Sequence, residues 1–409
     1  MKILYLAFAC NPFAGSEAQC GWSWPMAMRG YADVSVLTRE ENRADINRYL
    51  RENKIDDIQV FYHDIPPCVN LYYKKGKLYH LYYLLWQKTA VSYVRKLQEQ
   101  HRFDYIHHVT LGDFRSIGGC WRLKPKFIFG PVGGAQTTPA VLRAYTQTEH
   151  RQEVRRERVN RVVGAMPSYR RALDHAEYVF AANKETQAFL QKRMSHPERC
   201  RLLTENGVRG ENLKKPEKKT EKEKIALLWA GRMVNRKGLA LLLDILKLVK
   251  TKKEYVLRLA GNGPEMKNLK RQTADLGLKD KVEFLGKVSY KEMRQIYADS
   301  DIFVFPSLRE TTGSVLFEAM ANGIPVITFR QNGGALLIDD SCGRTIPLEQ
   351  SLEEVKESFA QAIRELTDDF SLRVKLGQNA YRRIEEMYTW EKKCKMFRQE
   401  YLQERDSAK

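Results

Sequence analysis

Short apolar runs that end in a glycine or proline turn and lead into a helix recur along the whole chain. In the clearest example, the run 301–306 precedes a helix that begins after Gly313 and ends at Gly323, and a second run follows at 326–329. Apolar runs of this length, separated by helices, are typical of parallel strands that are buried on both faces. The chain is therefore predicted to be an α/β protein whose parallel sheets are covered by helices.

The chain of 409 residues is long for one hydrophobic core and suits two domains of ordinary size. Residues 214–224 contain only lysine, glutamate, proline and threonine, which is typical of an exposed linker. We predict a first domain at 1–205, a hinge and linker at 206–224, and a second domain at 225–384. The strands predicted for the first domain are 2–8, 34–38, 58–62, 105–108, 126–129, 178–181 and 201–204.

Composition narrows the class of protein. Hydrophobic residues make up 43% and charged residues 29% of the chain, as in globular proteins. The sequence contains no run of about 18 apolar residues, so no membrane-spanning helix is predicted. The apolar start at 1–10 lacks an extended basic region and is interpreted as the first strand rather than a signal peptide. The seven cysteines are scattered without a Cys-x-x-Cys pair, which favours the reducing cytoplasm over a disulfide or zinc framework.

The net charge of +19 favours an acidic partner. Part of this charge lies in one helical-looking stretch that contains Arg143, Arg151, Arg155, Arg156, Arg158, Arg161, Arg170 and Arg171. A further part lies beside aromatic residues, at Lys74, Lys75 and Lys77. One interpretation is a solvated basic face with salt-bridged helices. The other is peripheral association with an anionic membrane surface, with aromatic side chains at the headgroup level: Tyr72, Tyr73, Tyr79, Tyr82, Tyr83 and Trp86.

Two glutamates lie close to a predicted phosphate-binding helix end. Glu310 lies in the loop after the strand at 301–306, and Glu318 lies about one turn inside the next helix. The first backbone N–H groups of that helix, at Gly313, Ser314 and Val315, would favour a phosphate. Carboxylates suit hydroxyls rather than phosphates as partners. A ligand that carries both phosphates and hydroxyls is a sugar nucleotide.

A second strand, 225–230, ends in Gly231 and is followed by Arg232 and Lys237 before an apolar helix. Because ligands of open α/β sheets bind at the carboxyl ends of the strands, these two cations are expected on the same edge as the glutamates. An arginine fork and a lysine point charge suit a diphosphate.

Several segments occur in a fixed order: Asn-Gly-Val at 206–208, Gly-Arg at 231–232 with Lys-Gly at 237–238, Gly-Asn-Gly-Pro at 261–264, Val-Glu-Phe-Leu-Gly at 282–286, the paired glutamates, and Tyr-Thr-Trp at 388–390. In this order they resemble the donor-binding half of the family 4 glycosyltransferases. These are retaining enzymes of the GT-B fold, which has two Rossmann-like, doubly wound domains facing across a cleft. The resemblance covers nearly the whole chain and is strongest from 231 to 343.

The resemblance implies that Arg232 and Lys237 stabilise the leaving diphosphate. It implies that Glu310 lies near the transferred sugar and that Glu318 accepts hydrogen bonds from the ribose hydroxyls. The remaining donor-binding residues that it implies are Gly15, Gly231, Gly261, Gly263, Val288, Gly313, Ser314 and Val315. Where the family has a Gly-Gly pair, this chain has Gly-Ser-Glu at 15–17, so Glu17 has no assigned role. Thr312 stands where the family often has an apolar or aromatic residue.

His107 and His108 end a predicted strand. The resemblance implies that a histidine in this region hydrogen-bonds the donor sugar. Because neighbouring strand residues face opposite ways, at most one of the two rings is expected to face the ligand. The alternative is a core histidine without a role in catalysis.

Taken together, the resemblance implies a retaining, metal-independent hexosyltransferase that uses a UDP-, GDP- or ADP-linked sugar and needs no cofactor. The acceptor would be a saccharide, lipid-linked in surface polysaccharide assembly (capsule, exopolysaccharide or O-antigen), at the inner face of the cell membrane. The final helix, at about 385–404, would pack on the first domain. Alternatives of the same architecture are a sugar-nucleotide epimerase and a phosphorylase. A basic anion- or nucleic-acid-binding protein is the non-enzymatic alternative, although the chain lacks a nucleic-acid-binding signature.

Overall fold

The computed structural model of the protein describes residues 1–65, 78–213, 215–216 and 220–402. The chain forms two compact units. The first unit comprises 1–135, 158–205 and the chain from Trp390 onward, and the second comprises 136–157 and 206–389. Each unit contains one sheet in which the strands pair in parallel, which confirms the predicted fold class. The segment 136–157, which was predicted within the first domain, lies in the second unit.

The first unit has a seven-stranded sheet in the order β3-β2-β1-β4-β5-β6-β7. Its strands are β1 (Lys2–Ala7), β2 (Asp33–Thr38), β3 (Ile58–Tyr62), β4 (Tyr105–Thr110), β5 (Lys126–Val132), β6 (Tyr178–Ala181) and β7 (Cys200–Leu202). In the described part of the first half of the chain, the α-helices are α1 (Ser16–Met28), α2 (Arg43–Glu52), α3 (Tyr79–His101), α4 (His150–Ala165), α5 (Pro167–His175) and α6 (Lys184–Gln191). The strands follow the predicted apolar runs, because a strand buried on both faces needs an apolar side chain at nearly every position.

The second unit has a six-stranded sheet in the order β10-β9-β8-β11-β12-β13. Its strands are β8 (Lys224–Ala230), β9 (Glu254–Ala260), β10 (Val282–Gly286), β11 (Ile302–Phe305), β12 (Val326–Phe329) and β13 (Gly343–Ile346). Its helices are α7 (Leu239–Leu248), α8 (Met266–Asp275), α9 (Tyr290–Asp299), α10 (Ser314–Ala321), α11 (Gly334–Leu337), α12 (Leu352–Asp368) and α13 (Phe370–Arg383). The last helix, α14 (Trp390–Tyr401), belongs to the first unit.

Both sheets reverse their strand order once. In the second unit the chain runs outward from β8 through β9 to β10, and then returns to place β11 on the other side of β8. In the first unit the same reversal makes β1 and β4 neighbours. Connections that leave adjacent strands toward opposite sides open a crevice at the carboxyl ends of those strands. Each unit therefore has one such crevice, at β8 and β11 and at β1 and β4.

The two consecutive histidines of β4 are both in the core of the first unit. His107 is fully buried, its Nε2 donates to the carbonyl of Gly130 over 2.7 Å, and its ring stacks on Phe397. His108 is 3% exposed, and its Nε2 lies 2.7 Å from the hydroxyl of Tyr83. The expectation, implied by the resemblance, that a histidine in this region faces the ligand is therefore corrected. It failed because β4 lies inside the sheet and is covered on both faces.

Three aromatic side chains of α3 also lie in the core. Tyr82, Tyr83 and Trp86 are buried around the ring of Phe8, at centroid distances of 5.5, 4.8 and 5.2 Å. The prediction that these three residues sit at a lipid headgroup level is wrong, because the face of the helix that carries them packs on the sheet.

The exposed face of α3 carries Leu81 and Leu84, and Tyr79 is partly exposed. The other residues of the predicted aromatic and basic cluster lie outside the described residues: Tyr72, Tyr73, Lys74, Lys75 and Lys77. Over the described ranges, no helix combines the length and the apolar character that crossing a membrane requires.

The buried histidines generate a prediction about acid stability. Burial lowers the pKa of His107 to about 3 and that of His108 to about 4, although hydrogen bonds to backbone groups oppose the shift. In the unfolded chain both rings take up a proton near a pH of about 6.5. The unfolded state therefore binds more protons between these values, and the free energy of unfolding should fall as the pH falls from about 6.5 toward 4, by up to about 1.4 kcal/mol per pH unit for each ring.

Urea unfolding of the first unit at pH 7, 6 and 5 measures this slope. His108→Gln should make it shallower, whereas His80→Gln, at an exposed position of α3, should leave it unchanged. Equal slopes for the wild type and His108→Gln would show that the buried ring is not the acid-sensitive group.

Candidate functional site

The crevice of the second unit brings together the loops that follow β8 and β11. Arg232 and Lys237 come from the loop after β8, and Glu310 comes from the loop after β11. The two strands are hydrogen-bonded neighbours, with Leu227 paired to Ile302. The predicted cations and the first predicted glutamate therefore share one edge of one sheet.

Glu310 is held by two cations. Its carboxylate forms an ion pair with Lys237 Nζ, and Arg236 Nη1 lies 3.5 Å from its Oε2. The side chains of Lys237 and Glu310 are both largely buried, at 12% and 17% exposure. Burial alone would raise the pKa of Glu310, but Lys237 and Arg236 outweigh it and lower the pKa below its ordinary value. Glu310 is therefore an ionised carboxylate beside two positive charges.

Arg232 lies on the same loop but differs in its environment. Its side chain is exposed, and it has no ion pair with another residue of the described ranges. Because none of its five N–H donors is paired with a carboxylate, the guanidinium can turn toward an anionic ligand. The loop thus provides two cations that pair with Glu310 and one accessible cation.

The helix α10 points its first turn at the same crevice. Gly313, at the N-cap position, has a φ of +85°, a conformation that favours glycine. Ser314 and Val315 open the helix and are partly exposed. The first N–H groups of a helix have no acceptor within that helix, and the helix dipole makes this end positive. The end of α10 can therefore bind an anionic group.

Glu318 lies one turn further along α10, on its exposed side. Its Oε2 accepts a hydrogen bond of 2.9 Å from the hydroxyl of Tyr297. The surrounding protein atoms exclude enough water to raise the pKa of Glu318, although the bond from Tyr297 opposes this shift. The carboxylate is accessible and keeps acceptor capacity for ligand hydroxyls.

The glycines predicted at the site have a packing role. Gly231 and Gly261 both have positive φ, and a Cβ on Gly261 would lie 1.8 Å from the carbonyl oxygen of Gly231. A Cβ on Gly263 would lie 2.3 Å from the carbonyl oxygen of Met233. These residues let the loops after β8 and β9 approach backbone to backbone. Val288, in the loop after β10, is half-buried at the same sheet edge.

The crevice of the first unit contains an unassigned carboxylate. Gly15 is exposed, with open space around its Cα, and precedes α1. Glu17, in the first turn of α1, accepts a hydrogen bond of 2.5 Å from the backbone N–H of Gly112, which follows β4. Burial raises the pKa of Glu17, this hydrogen bond opposes the shift, and the charge of Asp113 adds to it. Glu17 thus bridges the loops after β1 and β4.

Sequence reasoning missed several polar residues around Glu310. Arg236 is one of them, although it lies beside Lys237 in the sequence. Glu153 and Gln136 contact the residues on either side of Glu310, namely Arg309 and Thr311. These contacts join positions 156 and 175 residues apart, and no local pattern signals them. Across the ranges that the structure describes, no group of three or more His, Cys, Asp or Glu side chains is arranged to hold a metal ion.

Solved structures share this fold over almost their whole length. HepE of Anabaena, solved in complex with UDP and glucose, is 18% identical, with a TM-score of 0.62 and coverage of 98% of both chains. The sucrose-phosphate synthase of Thermosynechococcus elongatus is also 18% identical, with a TM-score of 0.66 and the same coverage. The lipopolysaccharide outer core galactosyltransferase WaaB is 16% identical, with a TM-score of 0.63 and coverage of 97% of this chain and 98% of its own. At these identities the similarity shows the fold alone.

Curated relatives match only part of the chain. The lipopolysaccharide core biosynthesis glycosyltransferase LpsD of Rhizobium meliloti is 33% identical over 167 residues, 39% of this chain and 43% of its own length. The gpi3 subunit of the phosphatidylinositol N-acetylglucosaminyltransferase of Schizosaccharomyces pombe is 26% identical over 197 residues, 48% of this chain and 41% of its own. The chain thus spans about two fifths of the length of these relatives.

The sequence profile of the family described as glycosyl transferases group 1 matches residues 210–383. This range includes β8 to β13 and all predicted site residues of the second unit. Residues 210–383 are therefore similar to the group 1 glycosyl transferases, and the chain has the two Rossmann-like domains of the GT-B fold.

Proposed function

We propose that the protein is a retaining glycosyltransferase that moves a hexose from a nucleoside diphosphate to a saccharide acceptor. The observation that carries this proposal is the composition of the crevice at β8 and β11. Two cations and a helix N-terminus meet an ionised and an accessible carboxylate there. Phosphates suit the first set and sugar hydroxyls suit the second.

In this proposal each group acts on one part of the donor. Arg232 and Lys237 bind the diphosphate, together with the first N–H groups of α10 at Gly313, Ser314 and Val315. Glu318 accepts hydrogen bonds from the ribose hydroxyls. Glu310 faces the transferred sugar, and its pairing with Lys237 links the sugar end of the donor to the phosphate end.

The reaction exchanges one C–O bond for another. The bond between the anomeric carbon and the distal phosphate oxygen breaks, and its electron pair stays on the phosphate. An acceptor hydroxyl attacks the same face of the sugar, which retains the anomeric configuration, and its proton passes to the departing diphosphate. The cations stabilise the negative charge that develops on the phosphate, so that the reaction proceeds without a metal or other cofactor. No covalent protein intermediate is required.

We further propose that the first unit rests on an anionic membrane surface that carries a lipid-linked acceptor for surface polysaccharide. The supporting feature is the part of α4 within this unit. Arg158 and Arg161 are exposed, and neither has an ion pair with another described residue. Val162 beside them is 64% exposed. A helix face with both cations and apolar side chains suits anionic lipid headgroups. Arg156 is excluded from this face because it pairs with Glu153.

The first test is the affinity for UDP. Lys237→Ala removes a cation from the proposed diphosphate site and leaves the charge of Glu310 less neutralised. A charged hydrogen bond contributes about 1.5–3 kcal/mol, so the dissociation constant for UDP should rise by roughly 10- to 100-fold. Calorimetric titration measures it. Lys247→Ala, at an exposed position at the end of α7, is the matched control and should bind UDP normally. Equal affinity in the two variants would remove Lys237 from the site.

The second test is the pH dependence of UDP affinity. Because the pKa of Glu318 is raised, loss of its ionised form on acidification should weaken binding at a pH above the ordinary carboxyl value of 4.5. Tyr297→Phe removes the hydrogen bond that favours the ionised form, so this transition should move to still higher pH. Glu318→Gln should abolish the transition. A pH profile identical in all three proteins would contradict the ribose role of Glu318.

The third test is association with vesicles of phosphatidylglycerol and phosphatidylcholine. The double variant Arg158→Glu/Arg161→Glu should lower the fraction of protein bound to the vesicles. Each basic residue near an anionic surface contributes about 1 kcal/mol, so loss of two should reduce the partition coefficient roughly 30-fold or more. Lys267→Glu/Arg271→Glu makes the same charge change on the exposed side of α8 and should have little effect. The membrane proposal fails if both variants sediment with the vesicles to the same extent as the wild type. Unchanged affinity for UDP would show that the variants are folded.

A further inference from the structure

The segment 136–157 follows β5 in the chain but packs within the second unit. Its 3₁₀ helix, Ala140–Glu149, lies against the turn Asn235–Lys237, which carries Lys237. Leu142 is fully buried in the core that β8 and α7 also form. The hydroxyl of Tyr145 donates to Asp244 Oδ2 over 2.5 Å. The segment is therefore an integral part of the unit that holds the proposed donor site.

Two side chains of this segment hold the residues on either side of Glu310. Arg309 donates from Nε and Nη2 to Glu153 Oε1, over 3.1 and 2.8 Å. Gln136 donates from Nε2 to Thr311 Oγ1 over 3.0 Å. Glu310 thus lies between two anchored neighbours.

The anchors are connected to each other. Arg156 donates to the backbone carbonyl of Gln136, and its Nη2 lies 3.3 Å from Glu153 Oε2. Arg309 and Glu153 are 16% and 11% exposed in their side chains. A charge pair at this depth is little screened by water, so removing Glu153 would leave the charge of Arg309 without compensation.

The loop is also held from its other side. The backbone carbonyl of Arg236 accepts hydrogen bonds from the backbone N–H of Leu308, over 2.9 Å, and from the hydroxyl of Ser307, over 3.2 Å. Arg236 and Lys237 pair with the Glu310 carboxylate itself. The position of this carboxylate is therefore fixed by contacts from two separate parts of the chain.

We propose that Glu153, Arg156, Gln136 and Arg309 form a clasp that positions Glu310 for sugar transfer. The inference rests on the proposed function, because it assigns these residues to the placement of a group that faces the sugar. They are positioning residues and do not contact the nucleotide. Loss of the clasp should impair turnover and leave the affinity for UDP nearly unchanged.

Glu153→Gln in the full chain tests this inference, since it removes the charge and keeps the size of the side chain. The rate of UDP release from UDP-glucose at saturation should fall roughly 10- to 100-fold, as expected for a displaced reacting group. The UDP dissociation constant should change by less than about threefold, because the diphosphate and ribose contacts remain. Amide hydrogen exchange across 307–313 should become faster.

Glu157→Gln is the matched control, because Glu157 lies one turn further along α4 and has no ion pair with a described residue. It should behave as the wild type in all three measurements. The charge-swapped variant Glu153→Arg/Arg309→Glu should recover part of the turnover that Glu153→Gln loses. A variant that was merely destabilised would show no such recovery. If Glu153→Gln does not fold, Gln136→Ala removes one neutral hydrogen bond of the clasp and should show the same split between turnover and UDP affinity.

The outcomes separate this inference from the proposed function. A wild type that binds and turns over UDP-glucose, with a Glu153→Gln variant equal to Glu157→Gln, would overturn the clasp alone. A wild type that binds none of UDP, GDP and ADP would overturn the proposed donor site, and the positioning role would fall with it. Loss of UDP affinity in parallel with turnover would also contradict the clasp, since it would show that the residues support the nucleotide site as a whole.

Discussion

The pairing of β8 with β11 is the constraint on which the rest of the site depends. It brings the loop of Lys237 beside the loop of Glu310, although the two residues are 73 positions apart. The resulting ion pair is largely buried, so each charge needs the other. A diphosphate that enters this crevice meets a lysine that is already paired. Its binding must therefore draw on further positive groups, which Arg232 and the first turn of α10 supply.

Much of the fold and of the donor site could be predicted because the signals are local. The strands β8, β11 and β12 are apolar runs with clear turn residues at their ends. Their carboxyl ends share one edge in any parallel sheet, so Lys237 and Glu310 could be placed together from the sequence. The roles proposed for Arg232 and Glu318 stay predictions, because they concern a ligand.

Other features could not be predicted because they depend on distant packing. His107 and His108 face opposite ways, as the period-two rule predicts, but both faces of β4 are covered, so neither ring is exposed. The face of α3 that carries Trp86 packs on the sheet, and the sequence of the helix alone does not show which surface this face contacts. In the sequence, Glu153 is one acidic residue within a basic stretch, and only the fold shows that it pairs with Arg309. Helical periodicity identifies a face, but not the surface that the face meets.

A structure of the protein with UDP bound would test the central claim most directly. We expect the diphosphate between Lys237, Arg232 and the first N–H groups of α10, with the ribose hydroxyls on Glu318. A nucleotide bound at another place, or a crevice at β8 and β11 that stays empty at millimolar UDP, GDP and ADP alike, would contradict it.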